Sequence, residues 1–88
     1  MKRFFLDEHG EVLIIFEDQN KMPAFIKRGS HLSDDSSPTF VSLEGNVLKA
    51  KVEIGESLPE ITLKEIEEFP VSWKNTFNLY NIPIPQKK

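Results

Sequence analysis

Five consecutive apolar residues, Val12-Leu13-Ile14-Ile15-Phe16, constrain the fold more than any other stretch of the chain. A run this short suits a buried strand or a piece of buried helix. Its β-branched content and the nearby Gly10 select the strand. A strand without alternation of apolar and polar residues is covered on both faces, which places it centrally in its sheet. Arg3-Phe4-Phe5-Leu6-Asp7 precedes it across the turn Glu8-His9-Gly10-Glu11. Aromatic and β-branched runs flanking a glycine-containing turn predict a β-hairpin.

Pro23 to Arg28 reads as a third strand, with Pro23 at its start or on an edge because proline cannot donate to a ladder. Residues 29–38 are dominated by Gly, Ser, Asp and Pro and read as a loop. Thr39 to Glu44 and Val47 to Ile54 flank Gly45-Asn46, a pair suited to a two-residue hairpin turn of type II′ or I′. In the second of these strands Leu48, Ala50, Val52 and Ile54 alternate with Lys49, Lys51 and Glu53, the period of a strand with one wet face. Thr62 and Glu65 have capping-box spacing, and Leu63, Ile66 and Phe69 then share a helical face, predicting a helix that Pro70 ends. Pro70 equally suits the opening of a helix over Val71 to Tyr80, where Trp73, Phe77 and Tyr80 fall at helical spacing.

These elements predict an α+β fold: about five antiparallel strands, in a curved sheet or small open barrel, followed by one or two short C-terminal helices. The first and third strands are expected to leave edges open to homodimeric pairing. Residues 1–82 form a single globular domain in this reading, and 83–88, with Ile82-Pro83-Ile84-Pro85 leading into it, an extended tail. The 88 residues suffice for one core and not for two.

Cysteine is absent, which excludes disulfides, thiolate metal sites and thiol nucleophiles. A small domain without disulfides is expected in a reducing compartment, here the cytoplasm. No apolar run approaches a membrane span, and no membrane partner is expected. The net charge of −3 is uneven: residues 1–28 sum to zero, 29–70 to −6 and 71–88 to +3. So acidic a middle argues against a nucleic-acid binder that uses the whole domain.

Two groups of residues carry acid–base or metal-ligating types. His31, Asp34 and Asp35 share the 29–38 segment, and Asp7, Glu8, His9 and Glu11 surround the first turn. Neither has the spacing of a calcium loop or a zinc site, and Asp and Ser dominate any solvated loop. No nucleophile elbow or phosphate-binding glycine loop occurs, so neither an enzyme nor a cofactor is expected.

The function expected is therefore that of a small protein-binding module: an inhibitor, an immunity-type protein or an accessory subunit. Its contact would use the acidic residues Asp34, Asp35, Glu65, Glu67 and Glu68 and the aromatic residues Trp73 and Tyr80. The alternative is single-stranded nucleic acid, held by Arg3, Lys27 and Arg28 with Phe5 and Phe25 as stacking platforms. Lys49 and Lys51 on their wet face would extend that patch.

Overall fold

A computed structural model describes residues 2–28, 31–34 and 38–85. The first hairpin forms as the residues require: β1 (Arg3–Asp7) pairs antiparallel with β2 (Val12–Phe16), with Phe5 opposite Ile14. The Asp7 carboxylate holds the turn by accepting the backbone N–H groups of Glu11 at 2.7 Å and Val12 at 3.0 Å. β3 (Ala24–Arg28) pairs with β2, and Pro23 lies just before it, as expected. β5 (Thr39–Glu44) and β6 (Val47–Lys51) form the second hairpin. Gly45 has φ +62° while Asn46 is not positive, which selects type II′ of the two expected turns.

Three stretches depart from the sequence reading. β6 ends at Lys51, short of the expected Ile54, which instead forms an isolated bridge with Ser57. Within the expected loop, His31–Asp34 forms β4, paired with β3, while residues 29–30 and 35–37 lie outside the described ones. The expected helix at Thr62–Phe69 is instead β7 (Glu60–Ile66), flanked by β1 and β6. The Thr62–Glu65 spacing is coincidental here. Ile61 and Leu63 alternate with Thr62 and Lys64 at a strand's period, and only a strand satisfies the facing edges of β1 and β6. Among the described residues seven strands thus form one antiparallel sheet in the order β4-β3-β2-β1-β7-β6-β5. Its edges are β4 and β5, so β1 and β3, expected at the edges, are interior.

The sheet buries apolar side chains on both faces. On the inner face Phe5, Val12, Ile14, Ala24, Ile26, Leu48, Ala50 and Leu63 form one cluster, joined by Met22 and Val52. Among the described residues no helix lies over this cluster; the sheet curls on itself, bringing the Phe16 ring of β2 to 6.2 Å from the Phe40 ring of β5, and Val52 and Ile54 between β6 and β7 add to the cover. On the outer face Phe4, Leu13 and Ile15 pack under α1 (Val71–Leu79), the single helix among the described residues, through Phe69, Trp73 and Phe77. Pro70 opens this helix: its carbonyl accepts the N–H groups of Trp73 and Lys74, both at 3.0 Å.

A Schellman motif ends it. Asn81 takes the left-handed conformation at φ 59°, Asn81 N–H donates to Asn78 O, and Ile82 N–H donates to Phe77 O at 2.8 Å. The chain therefore turns back, and Ile82 and Ile84 pack on the outer-face cluster. Residues 83–85 of the expected tail are thus extended but lie against the domain, and 86–88 are outside the described residues. Trp73 also donates from Nε1 to Gly10 O at 3.1 Å, tying the helix to the first turn.

Trp73 has 0% exposure and Leu79 on the same helix 75%. Trp73→Ala is expected to lower the unfolding free energy by about 3–5 kcal/mol. Leu79→Ala should change it by less than about 0.5 kcal/mol. Urea unfolding checks both, and a Trp73→Ala cost near that of Leu79→Ala would contradict the packing.

Candidate functional site

The residues expected to bind nucleic acid are largely engaged inside the domain. Arg3 and Phe5 project from β1 to the inner face, where the Arg3 guanidinium makes a fork to Glu65. Nε donates to Oε2 at 2.9 Å and Nη2 to Oε1 at 2.8 Å, and Nη2 also donates to Gly45 O at 2.9 Å. The hydrogen bond to Glu65 raises the Arg3 pKa above its ordinary value; partial burial opposes this, and the charge of Glu65 adds to it. The guanidinium carbon lies 5.2 Å from the Phe5 ring centroid, and Phe5 is fully buried. Phe25 packs against Phe77 with centroids 4.8 Å apart. Lys27 holds its ammonium 4.7 Å from the Trp73 ring centroid. Arg28 ends β3 opposite His31. Phe5 offers no face for a base to stack on, and Phe25 has its ring packed against Phe77.

The residues expected to bind protein are scattered. Asp34 ends β4 opposite Phe25, and Asp35 lies outside the described residues. Glu65 is the partner of Arg3 rather than a solvated helix acid. Glu67 and Glu68 are exposed in the link between β7 and α1, not on a helix. Trp73 is core, which corrects its expected place at the surface, and Tyr80 is partly exposed at the end of α1.

Lys49 and Lys51 stand on the wet outer face of β6 as expected, and β7 adds Lys64 diagonal to Lys49. None of the three has an acidic partner within ion-pair distance among the described residues. No aromatic side chain of β5, β6 or β7 shares that face.

A cleft of about 1020 Å³ was not anticipated. It follows from a mismatch in length. β7 has seven residues and β1 has five, and their register stops at Asp7 opposite Leu63. Glu60, Ile61 and Thr62 run on beside β6 with no strand on their other side. The space is closed by the first turn and by the segment leading into β7. Leu6, Val12, Ile26, Ile54, Pro59, Ile61 and Ile66 give it an apolar lining. Asp7, Glu8, Glu11 and Glu60 stand around it against Lys27 and Lys64.

Asp7 is committed to the turn and Lys27 to Trp73, which leaves Glu8, Glu11 and Glu60 exposed at the rim. His9 Nε2 sits 3.4 Å from Glu8 Oε1, an ion pair only when the imidazole is protonated. Among the described residues no three His, Asp or Glu side chains are grouped to hold a metal ion. A smaller hollow of about 210 Å³ lies beside Ile15, Phe25, Phe77 and Pro83.

The Arg3–Glu65 fork is half-buried and its geometry is that of a strong ion pair. A double-mutant cycle with Arg3→Ala and Glu65→Ala is expected to return a coupling of about 1 kcal/mol. A coupling indistinguishable from zero would show that the fork contributes nothing to holding β7 beside β1. Neither a family model nor a curated protein nor a solved structure matches the chain.

Proposed function

We propose that the protein is a small non-enzymatic binding module whose contact surface is the acid-rimmed cleft, and that its partner is another protein presenting a basic, partly apolar segment. The observation that carries this reading is the joining of an apolar lining to three exposed carboxylates in one concave site. Apolar lining supplies affinity once desolvated, and rim charge selects the sign of the partner and speeds encounter. The reading keeps the acidic character expected from the sequence but moves it from the distributed acids to Glu8, Glu11 and Glu60.

The nucleic-acid alternative has less behind it. Its stacking rings, Phe5 and Phe25, are packed into the two clusters, and the uncovered lysines on β6 and β7 have no aromatic neighbour on their face. Among the described residues no helix is long and apolar enough to cross a membrane. We place the partner in the cytoplasm on the absence of cysteine.

Native mass spectrometry of the protein drawn from its own cell extract tests the proposal. The wild type is expected to carry a stoichiometric protein partner at low salt and to release it as salt rises. The Glu11→Lys/Glu60→Lys variant, folded by circular dichroism, should carry at least tenfold less of that partner. Equal loading of the two proteins would show that the contact lies elsewhere.

A further inference from the structure

Alternate residues of an antiparallel strand direct their N–H and C=O groups to opposite neighbours. In β7 the direction is fixed by two bonds at its ends. Glu65 N–H donates to Asn46 O at 2.8 Å, and Val52 N–H donates to Pro59 O at 3.1 Å, both on the β6 side. Odd-numbered residues from 59 to 65 therefore bond to β6, and even-numbered residues turn toward β1. Lys64 and Ile66 face Leu6 and Phe4 there. Thr62 and Glu60 face the cleft, beyond the last residue of β1, and no described residue hydrogen-bonds their backbone on that side. The cleft is thus floored by side chains and walled on one side by a short length of open strand edge.

We infer that the cleft takes its partner as an added β-strand: an extended segment of another protein that pairs with β7 at Glu60 and Thr62, in line with β1. Such a strand forms up to four backbone hydrogen bonds, two with each of those residues. The pleat then sets its sequence. Residues opposite Glu60 and Thr62 project to the outer face, and the residue opposite Ile61 projects inward to Ile61 and its apolar neighbours. Glu60 is exposed and has no cation within ion-pair distance among the described residues, so its opposite number is basic. The segment recognised is one that alternates basic and apolar residues. This inference rests on the proposal that the cleft is a protein-binding site, and it adds how the partner is held.

The experiment titrates nitrogen-15-labelled protein with the capped hexapeptide Val-Lys-Val-Lys-Val-Lys and two N-methylated forms, followed by amide chemical shifts. In the added strand the lysine N–H groups point at β7 and the valine N–H groups away from it. Methylating the lysine amides is expected to weaken binding at least tenfold, and methylating the valine amides to change it less than threefold, with the largest shifts at Glu60, Ile61 and Thr62. Three peptides binding alike would overturn strand addition while leaving the cleft as a protein-binding site. No shift in the cleft with any of them at millimolar concentration would overturn the cleft reading itself, and the inference with it.

Discussion

Burial of β1 and β2 on both faces is the constraint on which the rest of the molecule depends. Phe4 and Phe5 are adjacent in sequence and point to opposite sides of the sheet, each into a different cluster. Leu13 and Ile14 do the same. Two layers are then obligatory, and an 88-residue chain has few elements with which to build them. The solution is asymmetric. One cluster is covered by α1 and the returning Ile82–Ile84 segment, the other by curvature of the sheet. The Trp73 indole joins the two arrangements, with its ring in the outer cluster and its N–H on the Gly10 carbonyl of the first turn.

Joining the two halves of the sheet is the task of β7. The first four strands form one meander and the last three another, and the β1–β7 pairing is the one ladder between them. Arg3 and Glu65 reinforce that ladder across its half-buried end, with Gly45 O of the second hairpin taking a further guanidinium hydrogen bond. At the other end β1 stops at Asp7, because its carboxylate is committed to turning the chain. The same choice that closes the first hairpin tightly leaves β7 longer than its neighbour. The cleft is therefore a product of topology, and its acidic rim comes from the turn residues Glu8 and Glu11 together with Glu60 at the start of β7.

Much of this was legible in the sequence where the signal is local. The unbroken run from Val12 to Phe16 predicts a strand covered on both faces, and β2 is one. The alternation from Leu48 to Val52 predicts which lysines face water, and Gly45-Asn46 marks the hairpin turn. Pro70 and the spacing of Trp73 and Phe77 mark the helix. What was not legible depends on partners distant in sequence. Thr62 and Glu65 carry a local helix-capping pattern, and it loses to the hydrogen bonds that β1 and β6 offer from 56–62 and 9–17 residues away respectively. A helix at Thr62–Phe69 would remove the ladder that brings Arg3 to Glu65, and by its sequence neighbours alone Arg3 is a surface cation. That helix would also leave the cleft without a wall, because Glu60 to Thr62 line it as part of an extended strand. In sequence Glu8 and Glu11 group only with Asp7 and His9, and they become a rim when β7 lies beside them.

Amide hydrogen exchange of the unliganded protein tests the central claim, that β7 is a strand with one edge bonded along its whole length and the other open past Asp7. The account predicts slow exchange at Ile61, Leu63, Glu65 and Lys64, and fast exchange at Thr62, whose N–H faces the cleft alone. Thr62 protected as well as its neighbours on either side would contradict it, because its N–H would then have a partner and the cleft would have no open edge to offer.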